Sequence, residues 1–212
     1  MASIGPEQLI LIGFFLLIGF PVHEFAHAFA AWKLGDGTAR LFGRLTLNPV
    51  VHFDPFGGTM LALSVLLGSG FIIGWAKPTP VNPSNLRDRR NGEVIVALAG
   101  PLTNLVMAIA AALVFRALLP SLTTTSGPLF QVLRLLNLFV VYNVALAIFN
   151  LIPIPPLDGS TLLFRFVSPA TAWRLRPMLA QYGMFILLAL VLFGGQFIGR
   201  LVFDATRFLV GG

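Results

Sequence analysis

Residues 6–32 read PEQLILIGFFLLIGFPVHEFAHAFAAW, and this first apolar run decides the class of fold. About 20 mostly apolar residues are enough for a helix to cross the ~30 Å hydrocarbon core of a bilayer. The run has no Lys or Arg at its start and is far too long for the core of a signal peptide. It therefore predicts a membrane-spanning helix that carries His23, Glu24 and His27 inside it.

Further apolar runs predict more membrane segments. Clear spans are predicted at residues 94–119, 129–153 and 178–203. The run at 57–75 contains five glycines, which weaken a helix, and it barely reaches spanning length. It is predicted either to cross the membrane or to enter and return as a hairpin.

The polar segments between the spans carry two local patterns. Residues 44–48, RLTLN, alternate polar and apolar, which predicts a strand. Residues 77–83, KPTPVNP, hold three prolines and must be extended and non-helical. Together these patterns predict an all-α polytopic membrane protein, a single domain over residues 1–212. It is a helical bundle of about four to six membrane segments with a short β or re-entrant region at 38–75.

The composition excludes the other broad classes. Hydrophobic residues make up 57% of the 212-residue chain and charged residues only 10%, too few to coat a soluble domain. The absence of cysteine excludes a disulfide scaffold, and 20 Phe in long apolar runs exclude disorder. The excess of Lys and Arg is spread between apolar runs, so we expect no nucleic-acid partner and interpret the excess as membrane orientation.

Ten of the 14 basic residues fall in three polar segments, which are predicted to share the cytoplasmic side if 57–75 is re-entrant. The uncharged segment at 120–128, PSLTTTSGP, then lies outside. This arrangement predicts a multi-pass protein of the cell membrane. The ten residues are Lys33, Arg40, Arg44, Lys77, Arg87, Arg89, Arg90, Arg165, Arg174 and Arg176.

The candidate chemistry lies in the first span. His23 and His27 are four residues apart on a helix and share one face, which suits two nitrogen ligands on one zinc ion. Glu24 lies beside them as a candidate general base. Placing ionisable residues inside a membrane helix costs free energy, so such residues indicate a function. A chance occurrence of the His23, Glu24 and His27 pattern is therefore the weaker interpretation.

A catalytic zinc usually has three protein ligands and a water. His52 is the third histidine, but it lies in a polar loop, as does Asp54, and a structural loop role is predicted for both. Asp158 is the stronger candidate, because three prolines in NLIPIPPLDG, residues 150–159, turn the chain after a span and Gly159 permits a tight turn. The alternative for Asp158 is a helix cap or turn residue at the membrane surface.

Three motifs in order resemble the site-2 protease family of intramembrane zinc metalloproteases. They are H-E-x-x-H at 23–27, G-P-x-x-N at 100–104 and N-x-x-P-x-P-P-x-D-G at 150–159, and the resemblance extends over GRLTLNP at 43–49 and GWAKPTPVNP at 74–83. The resemblance implies one Zn²⁺ per chain, held by His23, His27 and Asp158. It also implies Glu24 as the catalytic base and a position near the cytoplasmic face.

The resemblance also implies a second catalytic residue and a class of substrate. It places Asn104 near the scissile carbonyl, where its amide could donate to the developing oxyanion, whereas the simpler interpretation is a hydrogen bond between helices. The expected activity is hydrolysis of peptide bonds within or near transmembrane helices of single-span substrate proteins. An extended substrate could add to the predicted strand at 44–48. A separate adaptor or a homo-oligomer are the partners left open.

Two other functions compete with this one. A membrane metal-ion transporter would use His23, His27 and Asp158 as a midplane site and would have no need of Glu24. A catalytically silent membrane adaptor of the same fold would not need an intact set of these four residues.

Overall fold

The computed structural model describes residues 9–10, 13–66 and 74–211. The chain divides into two compact units, Met1–Gly92 and Glu93–Gly212. The prediction of a single domain over 1–212 stays a prediction. The described residues contain eight α-helices, here named α1 Phe20–Lys33, α2 Thr38–Leu41, α3 Pro49–His52, α4 Pro55–Leu66, α5 Arg89–Leu118, α6 Pro128–Asn150, α7 Gly159–Phe166 and α8 Pro169–Val210.

The first unit is organised around α1. A π-helical turn, Phe15–Gly19, leads directly into α1, so residues 13–33 are helical throughout. The turn lies just before Pro21, where the missing N–H interrupts the regular hydrogen-bond ladder. The helix ends after Lys33, and Gly35 turns the chain with a φ of +112° that favours glycine. Part of the predicted span at 6–32 lies outside the described residues.

The predicted strand at 44–48 is wrong. These residues form bends and irregular backbone, and no strand occurs in the described ranges of the chain. The polar groups of this loop bond locally instead: Arg44 Nη1 donates to the Val51 carbonyl at 2.6 Å, and His52 Nε2 lies 2.8 Å from the Thr46 carbonyl. A two-residue alternation predicts a strand only where a partner strand can pair with it. The loop therefore offers no strand edge to a substrate.

The segment at 57–75 begins and ends in the same place. Gly57 lies so close to Trp75 that an added Cβ would be 2.0 Å from the Trp75 carbonyl oxygen. The Lys77 amide then donates to the His52 carbonyl at 2.8 Å, and the Arg87 amide to the Leu34 carbonyl at 3.0 Å. The described ends of this segment therefore lie close together, as the re-entrant alternative expects, and the choice between crossing and re-entry stays a prediction. Residues 67–73 lie outside the described residues.

The second unit holds long apolar helices. Three helices in the described part of the chain are long and apolar enough to cross a membrane: Arg89–Ser121, Pro128–Asn150 and Ala170–Val210. They contain the predicted spans, except that α6 ends at Asn150 and not at 153. Prolines at 153, 155 and 156 explain this end, because proline cannot continue the hydrogen-bond ladder. An all-α polytopic membrane protein is thus confirmed.

The core of the second unit lies among α5, α6 and α8. It is built from small and β-branched side chains that are at most 9% exposed. Small residues let helix backbones approach closely, which is the usual basis of helix association in membranes. This packing fixes the part of α5 that carries Asn104. The cluster comprises Ala108, Ala111, Ala112, Val140, Val144 and Val202.

Candidate metal centre

The two histidines of α1 converge as their spacing predicts. His23 Nε2 and His27 Nε2 are 3.0 Å apart, and the ring centroids are 4.6 Å apart in an edge-to-face arrangement. Both side chains are buried, at 4% and 6% exposure. One helical turn therefore presents two buried ring nitrogens to the same point.

This nitrogen pair fits a zinc ion. Two nitrogens that each lie about 2.0–2.1 Å from a tetrahedral zinc are about 3.3 Å from one another, close to the separation observed. Neutral imidazole is an ordinary zinc ligand. The chain has no cysteine, so any further ligand must come from oxygen or nitrogen donors.

Glu24 is half-buried and hydrogen-bonded to a residue far along the chain. Its carboxylate oxygen Oε2 accepts from the Thr79 amide at 2.9 Å and from the Thr79 hydroxyl at 2.7 Å. That hydroxyl also lies 3.1 Å from the Glu24 carbonyl oxygen. Thr79 thus fixes the candidate base, although no sequence motif indicates this role. The sequence predicts that the KPTPVNP segment is extended, but it does not show that Thr79 in this segment contacts Glu24.

Asp158 lies in the second unit, at the start of α7. Its backbone occupies the position before the first residue of that helix, yet its carboxylate makes no capping hydrogen bond. Of the two predicted alternatives, the side-chain helix cap is therefore absent, whereas Asp158 does lie in a turn. Gly159 is required for a close approach, because an added Cβ would lie 2.3 Å from the Leu151 carbonyl oxygen and 2.5 Å from that of Ile152. The turn at 151–158 thus tightly constrains the Asp158 backbone.

His52 and Asp54 have local contacts that fit a structural role. His52 is 1% exposed, with Nε2 directed at the Thr46 carbonyl. Asp54 precedes α4, and its Oδ1 accepts from the Gly57 amide at 2.8 Å, which is the geometry of a helix N-cap. Asp54 therefore fixes the start of α4.

Asn104 is fully buried in the second unit and bonds to a neighbouring helix. Its amide nitrogen donates to Asn143 Oδ1 at 3.0 Å, and Asn143 Nδ2 donates in turn to the Phe139 carbonyl at 2.9 Å. This is the predicted hydrogen bond between helices. The Asn150 amide donates to the Leu146 carbonyl of its own helix at 3.0 Å.

Asp36 anchors the segment that carries Thr79. Its fully buried carboxylate accepts hydrogen bonds from the Thr38 amide and hydroxyl, from the Asn82 amide at 2.7 Å and from Asn85 Nδ2 at 3.0 Å. Burial alone would raise the pKa of Asp36, but the hydrogen bonds from Thr38, Asn85 and Asn82 outweigh it and lower the pKa below its ordinary value of 3.8. The group is therefore ionised at neutral pH and holds residues 82–85 against the end of α1.

Comparison with known proteins gives consistent matches. A model of peptidase family M50 matches residues 10–194. A Bacillus subtilis protein named "Putative zinc metalloprotease YwhC" is 36% identical over 179 residues, 82% of this chain and 77% of that protein. Proteins named "Putative zinc metalloprotease Rip2" from Mycolicibacterium smegmatis and Mycobacterium tuberculosis are 32% and 30% identical, each over 91% of this chain and 70% of the relative. No solved structure gives a significant match.

Proposed function

Because this integral membrane protein belongs to peptidase family M50, a family of zinc metalloproteases, we propose that it hydrolyses peptide bonds within or near transmembrane helices of other proteins. The observation that carries the proposal is the geometry of α1. Two buried histidine nitrogens lie 3.0 Å apart, and the carboxylate of Glu24 follows directly after the first of them. A hydrolase needs this combination of metal ligands and an adjacent base, whereas a binding site for metal alone does not need the base.

We assign one zinc ion per chain to His23, His27 and Asp158. Two nitrogens and one carboxylate oxygen leave the fourth position open, as a catalytic zinc requires. Support for Asp158 comes from the family motif and from a carboxylate that is not used to cap α7. Support for the histidines comes from their convergence and burial.

The chain's own residues then have distinct roles in hydrolysis. When bound, zinc would lower the pKa of the attacking water and polarise the scissile carbonyl. Glu24 accepts the proton of that water and later delivers it to the leaving amine. Asn104 is assigned as a donor to the oxyanion, because the family motif G-P-x-x-N places its side-chain amide near the scissile carbonyl.

The substrate proposed is a single-span membrane protein. Its helical carbonyls are already hydrogen-bonded, so the helix must unwind locally before a water can attack. Partners other than the substrate and the bilayer are a separate adaptor or a second copy of this chain, and no nucleic acid is expected.

Metal removal tests the activity. The purified protein is reconstituted with a single-span substrate, treated with a zinc chelator and then resupplied with zinc. Cleavage should stop on chelation and return when one equivalent of zinc per chain has been added, because zinc would supply the activation of the attacking water. Magnesium, which prefers an octahedral oxygen site, serves as the control and should not restore cleavage. Cleavage that continues at full rate in the metal-free protein would refute the proposal.

We further propose that the protein lies in the cell membrane and that its active site is near the cytoplasmic face. The support is the excess of Lys and Arg beside the spans, together with the hydrogen bond from the Arg87 amide to the Leu34 carbonyl, which joins two of the basic segments. Since the chain has no cysteine, single-cysteine variants need no further change. Arg40→Cys and Arg87→Cys should both be labelled from the cytoplasmic side by a membrane-impermeant maleimide, and Thr125→Cys from the other side. Labelling of positions 40 and 87 from opposite sides would overturn this topology.

A further inference from the structure

Thr79 makes the hydrogen bonds that hold the Glu24 carboxylate. Two donors of one residue, the amide at 2.9 Å and the hydroxyl at 2.7 Å, meet the same oxygen, Oε2. In the described part of the chain no other group bonds to this carboxylate. The second oxygen, Oε1, is therefore left available to a water molecule.

The position of Thr79 is fixed from both sides. Pro78 and Pro80 flank it, which restricts the backbone and leaves Thr79 with the single peptide N–H in that stretch. Two residues earlier, the Lys77 amide is bonded to the His52 carbonyl at 2.8 Å. Three residues later, the Asn82 amide is bonded to the buried carboxylate of Asp36 at 2.7 Å. The segment is thus attached at both ends, and Thr79 lies between the attachments.

A glutamate side chain needs such support in order to act as a base. It has three rotatable bonds, and a base must stay within hydrogen-bond reach of the proton that it abstracts. Hydrogen bonds to a charged group are stronger than those between neutral groups. Two such bonds to Oε2 restrict the carboxylate to one orientation, with Oε1 pointing away from Thr79.

We propose that Thr79 is a positioning residue for Glu24: it binds Oε2 and directs Oε1 to the water that is to be deprotonated. This inference rests on the proposed function of Glu24 as the base. The hydroxyl of Thr79 supplies one of the two bonds, and its amide supplies the other. A side chain without a hydroxyl at position 79 leaves the carboxylate with one bond and with more freedom to rotate.

The kinetic test compares Thr79→Val, Thr79→Ser and Thr59→Val. Valine keeps the shape of threonine but not the hydroxyl, so kcat should fall about ten- to a hundred-fold while KM and zinc content stay unchanged. Serine keeps the hydroxyl and should recover most of kcat. Thr59 is the matched control: its hydroxyl donates to the Pro55 carbonyl of its own helix at 2.7 Å, and its change to valine should leave kcat unaltered.

Hydrogen exchange tests the contact without zinc or substrate. In the metal-free wild-type protein the Thr79 amide should exchange slowly, although it lies in a loop, because it is bonded to Glu24 Oε2. Glu24→Ala should accelerate that amide at least tenfold. Glu24→Gln should not, since its side-chain oxygen can still accept. The Lys77 amide, bonded to His52, is the internal control and should be unchanged in each variant.

The two readouts separate failure of this inference from failure of the proposed function. If the protein cleaves substrate and loses activity in Glu24→Gln, but Thr79→Val keeps wild-type kcat, the positioning role is overturned. Rapid exchange of the Thr79 amide in the wild-type protein would overturn it too. If no substrate is cleaved under any condition while the Thr79 amide exchanges slowly and depends on Glu24, the proposed function fails and the contact stands.

Discussion

Replacing His27 by alanine is expected to reduce bound zinc from one ion per chain to almost none and to abolish cleavage. His27 contributes one of two converging nitrogens, and the remaining ligands cannot complete the site. Loss of a residue that only hydrogen-bonds to a metal ligand already weakens zinc binding about 10- to 100-fold. Loss of a direct ligand should therefore weaken zinc binding further. His23→Ala and Asp158→Ala should behave alike. Elemental analysis of the purified variants measures the zinc, and a single-span substrate measures the activity.

The control for these variants is the third histidine. His52→Gln removes an imidazole that is directed at the Thr46 carbonyl, and a glutamine amide can still donate there. This variant should retain zinc at the wild-type ratio, even if its thermal stability is lower. Full zinc occupancy in His27→Ala, or loss of zinc in His52→Gln from a folded protein, would contradict the proposed ligand set. Folding of each variant is checked by its helical circular dichroism.

Replacing Glu24 by glutamine should leave zinc in place and remove most of the cleavage activity. The amide has almost the same shape as the carboxylate, and its oxygen can accept the hydrogen bonds from Thr79. It cannot take a proton from water at neutral pH. Positioned acid–base groups contribute about 10²- to 10⁴-fold to rate, and we expect kcat to fall by that factor with KM little changed.

This variant also separates the competing functions. A metal-ion transporter that uses His23, His27 and Asp158 would move zinc across vesicle membranes and would not depend on a carboxylate at position 24. A silent adaptor would show no cleavage in either protein. Glu24→Asp is a further control, because it keeps the charge but shortens the side chain, so it should retain zinc and recover only part of the activity. Equal cleavage by wild type and Glu24→Gln would exclude Glu24 as the base.

The elements that depend on local sequence were predictable. Apolar runs of spanning length gave the helices of the second unit, and the prolines after Asn150 explain why α6 stops there. The spacing of His23 and His27 gave their convergence, because residues four apart lie on one face of any helix. The order of three motifs gave the family, which the match over residues 10–194 supports.

The contacts between residues that are far apart in the sequence were not predictable. Glu24 and Thr79 are 55 residues apart, and Asp36 and Asn82 are 46 apart, so no local pattern pairs them. The loop at 44–48 shows the opposite failure. Its alternation of polar and apolar residues predicts a strand, but no strand in the described residues pairs with it, and its polar groups bond to the adjacent helix α3. The pattern of polar and apolar residues limits the backbone conformations that a segment can adopt. The tertiary contacts of the segment decide which of these conformations it does adopt.

Hydrolysis in H₂¹⁸O tests the central claim most directly. Zinc-loaded wild type and zinc-loaded Glu24→Gln are incubated with the same single-span substrate, and the fragments are analysed by mass spectrometry. We predict that wild type cleaves one peptide bond within or beside the transmembrane helix of the substrate and so produces two fragments. The new carboxyl terminus should carry one ¹⁸O atom, and the variant at equal zinc content should yield almost no fragments. Equal amounts of the same labelled fragments from both proteins would contradict the account.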